Sequence, residues 1–315
     1  MERQKFYKMT KSAALRRFFI FTVFSKSAIC DIIKYYRKEA IFMYYQKRFD
    51  GHVHSDCSPR GVDSVMSLCE QAVHRGLFGF AVTDCCDCDR FDEMQFAERV
   101  RESAYCVYKA RSVFEDSLII SNGIEVGQPL DNIGKADKII DSFPFDVIIA
   151  SVKKYPDGRK ISDIDYSELS ENETKRLLET YYKSLLETAN WENFDVLSQL
   201  TLPMRYLNRE NTPYFSIRYC DDIIEAILKK LAENDKALEV NTNALRGKLN
   251  MILPPIRYLR MFRELGGKYI TVGSGCHSCA SIGSDLGEGI SLVNEAGFSS
   301  YCYFKNRKPI FIEID

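Results

Sequence analysis

The chain has 315 residues, with 43 Lys and Arg against 44 Asp and Glu and a formal net charge of −1. That balance offers no basic excess for nucleic acid and no acidic tail for a charged partner. The length allows one large core or two modest ones, and eleven cysteines, an odd number at irregular spacing, suit a reducing cytosol better than a disulfide framework.

Residues 1–42 differ from the rest. The stretch "RRFFIFTVF" sets a basic pair before an apolar run of seven, short of the roughly 20 residues that a membrane span needs. No small-x-small site follows to mark a cleaved secretory signal. The segment reads as an N-terminal extension, either an amphipathic helix or translation from upstream of a start at Met43. The domain proper is expected over 43–315, in the cytoplasm and without a membrane span; the sequence leaves the oligomeric state open.

From there short apolar runs alternate with longer helical patterns. "RFDGHVH" predicts a strand and "GVDSVMSLCEQAVHRG" a helix that closes on Gly76. "FGFAVTD" predicts a buried strand, and "DEMQFAERVRESAYCVYKARSVF" a helix by its apolar spacing of three and four. The strands "SLIISNGIEV" and "FDVIIASV" flank "GKADKIIDS", and "ENETKRLLETYYKSLLETAN" follows as a long helix. Next come strand "FDVLSQL", helix "CDDIIEAILKKLAEN", strand "KALEVNT" and helix "PPIRYLRMFRELGG", which opens on proline and ends on glycine. Strand "KYITVGSG", helix "GEGISLVNEAGF" and the pair "YCYF" and "PIFIEI" complete the chain. Repeated strand–helix units with near-continuous apolar strands predict a parallel sheet covered by helices, and their even spacing favours a closed α/β barrel. In such barrels the chemistry sits at the C-terminal strand ends.

Those ends carry His52 and His54, Asp84 and Cys85, Glu125, Lys153, Gln199, Asn241, and Gly275 to His277. Two histidines at i and i+2 of a strand share a face, so both imidazoles can reach one ion. A lone His-x-His is weak, but Glu125 and His277 at other strand ends strengthen it. Two histidines and a glutamate make an open site for a divalent ion, with room for a water.

The strings "HVHSDCSPRG", "GFAVTDC", "NGIEVGQP", "FDVIIASVKKYPDG", "FDVLSQLTLPMRY", "ALEVNTNALRG" and "YITVGSGCHSCASIG" occur in an order that resembles the polymerase and histidinol phosphatase (PHP) superfamily, in particular its histidinol-phosphatase branch. The resemblance covers Phe49 to Ile314. It implies a distorted seven-stranded TIM-like (β/α) barrel with up to three metal ions that hydrolyses L-histidinol phosphate in histidine biosynthesis. It also implies that His52, His54 and His277 are metal ligands and that Glu125 bridges two ions.

The chain departs from that pattern at ligand positions. Where the family has Thr-Asp-His, Ser-Val-His, Gly-His-Leu or Gly-His-Pro, and Gly-Ser-Asp-Ala-His, this sequence has Thr83-Asp84-Cys85, Ser151-Val152-Lys153, Ser198-Gln199-Leu200 and Gly273-Ser274-Gly275-Cys276-His277. Gly275 offers no ligand, Gln199 only an uncharged amide, and a protonated Lys153 repels a cation. Cys85 alone is a good replacement, as a zinc thiolate. One divalent ion (zinc, manganese or iron) rather than three is therefore expected, on His52, His54 and Glu125 with help from Cys85 or His277.

Catalysis is then expected from Glu125, Asp84 and His277, and binding of a small phosphorylated metabolite from Lys153, Arg205 and Arg246. Against this stand ion-paired surface arginines and a lysine left by drift. A soft-metal site from Cys85, Cys86, Cys88, Cys276 and Cys279 competes with ordinary buried thiols. Two functions remain: a metal-dependent phosphomonoesterase with a reduced ion complement, or a catalytically inactive homologue that binds a phosphometabolite.

Overall fold

The computed structural model describes residues 47–207 and 216–314; the expectations for residues 1–42 lie outside them. Seven parallel strands succeed one another in chain order: β1 (Phe49–Val53), β2 (Gly79–Asp87), β3 (Ile119–Gly127), β4 (Val147–Ser151), β5 (Val196–Leu197), β6 (Ala237–Asn241) and β7 (Ile270–Gly273). Their apolar side chains, Phe80, Val82, Ile124, Ile148, Leu197, Leu238 and Val272 among them, are buried, as strands covered on both faces require. Strand β5 keeps only two paired residues of the longer strand read from "FDVLSQL".

The outer layer comprises α1 (Val65–His74), α2 (Phe96–Phe114), α3 (Ile133–Asp141), α4 (Glu171–Trp191), the short α5 (Met204–Leu207), α6 (Asp221–Glu233), α7 (Ile256–Glu264) and α8 (Leu286–Glu295). The longest, α4, begins at a capping box in which Ser170 and Glu173 satisfy each other's backbone donors. Among the described residues no helix is long and apolar enough to cross a membrane.

The seam between β1 and β7 closes the barrel. Val53 bridges Cys276 in parallel, and the His54 amide donates to the Cys276 carbonyl at 3.0 Å. Below that, the buried Asp50 carboxylate accepts from the Ser274 amide (2.8 Å), the Ser274 hydroxyl (2.5 Å) and the Gly283 amide (2.8 Å). These bonds fix β1, and hence its two histidines, against the last strand. A hairpin of β8 (Ser300–Lys305) and β9 (Lys308–Glu313) seats on the opposite end, where Tyr303 stacks on Phe49 with ring centroids 4.5 Å apart. The fold is thus the expected distorted TIM-like (β/α)7 barrel.

Candidate metal and phosphate site

His52 and His54 share a face at the mouth of β1, as strand alternation dictates, and their Nε2 atoms approach to 3.1 Å. Glu125 reaches the same point from β3, its Oε2 lying 3.8 Å from each of those nitrogens. Nitrogen and oxygen ligands about 2.0–2.2 Å from one tetrahedral ion lie roughly 3.3 Å apart. The triangle therefore suits an ion at its centre after small side-chain shifts. All three residues are buried, and their ligand atoms lie within 4.8 Å of one another, the one such group of three among the described residues.

Glu239 completes the arrangement from β6, and sequence reasoning missed it. Its Oε1 lies 2.5 Å from His52 Nδ1, the carboxylate–imidazole pairing that fixes tautomer and ring orientation in metal sites. Burial works against a charge on His52, but Glu239 and Glu125 outweigh it and push its pKa up to about 10. His54 goes the other way: burial, then the neighbouring His52, hold it well below the usual imidazole range. His277 stacks on His54 with centroids 4.4 Å apart and planes within 8°. Burial lowers its pKa to about 4, and its Nδ1 has no partner among the described residues.

The substituted positions all converge here. Lys153, just past β4, places its Nζ 2.7 Å from Glu125 Oε2, 3.3 Å from Asp87 Oδ1 and 3.4 Å from Cys85 Sγ. Burial disfavours its charge, but the carboxylates of Asp87 and Glu125 outweigh burial and hold the ammonium protonated. Burial likewise raises the Glu125 carboxyl, yet Lys153 and the two imidazoles bring it well below its ordinary value. Cys85 pairs with Glu125 in the β2–β3 register and stands 3.0 Å from its Oε2. Burial pushes that thiol up, so it is a hydrogen-bond donor and not a thiolate. Gln199 turns its amide nitrogen to Glu125 Oε1 at 3.0 Å. Gly275 has φ +55°, and a Cβ there would come within 3.0 Å of the Asn241 amide. The backbone itself is adapted to glycine where the family pattern has an aspartate.

Two expected site residues do other work. Asp84 lies on the opposite face of β2 from Cys85, toward α2. Its carboxylate accepts from the Ser55 amide (2.7 Å), the Ser55 hydroxyl (2.6 Å), the Ser58 hydroxyl (2.8 Å) and the Ser103 hydroxyl (2.6 Å). Ser58 in turn lies 3.2 Å from His54 Nδ1, so Asp84 acts on the site through the loop after β1. That loop is tight: a Cβ on Gly61 would lie 1.7 Å from the Ser55 carbonyl oxygen. Arg246, expected to bind substrate, instead braces the strand ends. It donates to the Ser274 carbonyl (2.7 Å) and pairs with Asp285 (2.8 Å), outside the cavity lining, because a 3-10 turn at Asn243–Arg246 directs it there.

Above the ligand group lies a cavity of about 200 Å³ lined by His54, Glu125, Lys153, Arg205 and His277 and rimmed by Arg60 and Lys160. Arg205 is there as expected, and its buried Nε has no partner among the described residues. Among the described residues no group of three ligands includes Cys85, Cys86, Cys88, Cys276 or Cys279, and all five are free of disulfides.

The family model for the PHP domain matches residues 50–243. A curated histidinol-phosphatase of Lactococcus lactis is 29% identical over 84% of this chain and 99% of its own length. A probable histidinol-phosphatase of Clostridium acetobutylicum is 24% identical over 84% of this chain and 96% of its own. The crystal structure of the Lactococcus lactis histidinol phosphate phosphatase, complexed with zinc, L-histidinol and phosphate, superposes with a TM-score of 0.73. It is 26% identical, covering 84% of this chain and 99% of that one.

Proposed function

This chain belongs to the PHP domain family, and from that premise we propose that it is a metal-dependent phosphomonoesterase of the histidinol-phosphatase type. Its substrate is L-histidinol phosphate or a similar small phosphate ester, and its ion complement is one. The observation that carries this is a buried His52–His54–Glu125 ligand group, two of whose members, His54 and Glu125, line one cavity with the cations Lys153 and Arg205.

His52, His54 and Glu125 would hold the ion. A divalent ion there supplies Lewis acidity, which makes water a competent nucleophile near neutral pH and draws charge off a phosphoryl oxygen. Glu239 keeps the His52 ring turned so that Nε2 faces the ligand group. Arg205 and Lys153 offer charged donors to the phosphoryl oxygens, where negative charge accumulates as the leaving oxygen departs. His277, neutral at pH 7, lines the same cavity with a free Nδ1. It suits taking a proton from the attacking water better than giving one to the leaving group.

The test is metal analysis of purified protein together with phosphate release from L-histidinol phosphate in added manganese, zinc or iron. One ion per chain and release that His52→Ala abolishes are expected. Less than one ion per chain and no release would overturn the assignment. Binding of the ester without release would leave the inactive, metabolite-binding homologue as the correct function.

A further inference from the structure

Lys153 occupies a particular place relative to the carboxylate that the ligand group shares. Glu125 Oε2 lies 3.8 Å from each of the two imidazole nitrogens and 2.7 Å from the Lys153 ammonium. One oxygen is thus shared by a candidate cation-binding pair and a built-in cation. The lysine is held there by its main chain as well as its charge. Its amide donates to Gln128 Oε1 at 2.6 Å and its carbonyl accepts from the Ile161 amide at 3.1 Å. Gln128 is itself fixed in a left-handed conformation, φ 51°. A side chain left over by drift would not be expected to have backbone clamps on both sides and three acceptors at its tip.

We propose that the Lys153 ammonium is a permanent replacement for a second metal ion, so that this site works as one divalent ion plus one lysine, with Glu125 bridging the two. The inference rests on the phosphomonoesterase assignment above and deepens it. Charge accounting supports it. Lys153 faces two carboxylates, Glu125 and Asp87, and its contacts to Asp87 and to Cys85 are long, 3.3 and 3.4 Å. Those two contacts are the ones a phosphoryl oxygen can displace, because Lys153 lines the cavity and a quarter of its side chain is exposed there. The strong bond to Glu125 stays in place and keeps the ammonium aimed. With the ion on the imidazoles, the ion, Lys153, Glu125 and Asp87 together carry a single net positive charge, complementary to a phosphate group. A second divalent ion would have to displace an ammonium already bonded to the carboxylate that it needs. Like charges so close repel in proportion to the low local dielectric.

The proposal therefore concerns stoichiometry and phosphate affinity, both of which can be read without turnover. Titration of metal-stripped protein with zinc or manganese should saturate at one ion per chain even in excess metal, and Lys153→His should raise the limit to two. Inorganic phosphate, titrated by calorimetry at saturating metal, should bind Lys153→Met roughly tenfold or more weakly, as loss of a charged donor predicts, and Lys153→Arg within a few-fold of the parent. Two or more ions on the unaltered protein would overturn the proposal. So would unchanged phosphate affinity in a folded Lys153→Met. Should that variant not fold, the stoichiometry of the unaltered chain decides alone. Failure of the phosphomonoesterase assignment looks different: one ion and lysine-dependent phosphate binding, but no release from the ester.

Discussion

Asp84→Asn separates two roles for that residue, one in which its carboxylate meets substrate and one in which it holds the loop that carries His54. Its four bonds, two on each oxygen, favour the second. Asparagine keeps the oxygen that accepts from the Ser55 amide and the Ser58 hydroxyl, although those bonds become neutral. Its amide nitrogen replaces the oxygen that accepts from Ser55 and Ser103, so both hydroxyls must turn and become acceptors. Bonds to a charged group contribute roughly 1.5–3 kcal/mol and neutral ones roughly 0.5–1.5 kcal/mol, so converting four of them loses about 4–6 kcal/mol. Burial of the carboxylate, which raises its pKa, offsets part of this, because the neutral amide does not suffer it. The net cost should be about 1–3 kcal/mol, and about 2–4 °C of Tm per kcal/mol for a domain of this size. Thermal and urea unfolding read the stability, and phosphate release per folded molecule reads the site. Modest destabilisation with most of the activity retained is expected. Full stability with release down a thousandfold would refute the reasoning and put Asp84 in contact with the substrate.

The two arginines should part company. Arg205→Ala, which removes a cavity cation, should raise KM for the phosphate ester by roughly tenfold or more while leaving Tm nearly unchanged. Arg246→Ala should lower Tm and leave KM within about twofold, since it removes bonds to Ser274 and Asp285 instead of to substrate; a reversed pattern would exchange their roles. Burial pushes the thiols of Cys88 and Cys276 up to about 12, so at pH 8 only about one part in ten thousand of each is thiolate. Iodoacetamide should leave both unlabelled in folded protein and label them in urea, and rapid labelling of the folded chain would contradict their burial.

The barrel was legible because its strands are nearly continuous apolar runs between helices of clear period, and that pattern follows from burial on both faces. His52, His54 and Glu125 were legible for a related reason: alternation alone puts the two histidines on one face, and strand ends gather at one mouth. What escaped was direction beyond the strand ends. Arg246 follows a strand that points at the site, but the 3-10 turn after it sends the guanidinium to Ser274 and Asp285. Nothing in "NALRG" announces that deflection.

Other misplacements follow from a rule that the sequence did contain. Adjacent strand residues face opposite sides, so Asp84 and Cys85 could not both serve the cavity, and Asp87, two residues beyond Cys85, had to accompany it. Asp87 is the acid that, with Glu125, keeps the Lys153 ammonium charged. Glu239 carries a similar signal: a lone acid in the apolar strand "ALEVN", buried at 2% exposure, is costly unless a charged or donating partner meets it. That partner is His52. The identity of the candidate ligand residues was therefore written in the strand ends, but their charge states were set one layer out. Lys153 read alone could be a repelled, deprotonated or drifted residue. Only Asp87 and Glu125, brought beside it by the pairing of β2 with β3, make it a fixed positive charge, and the proposed limit of one metal ion on Glu125 rests on that charge.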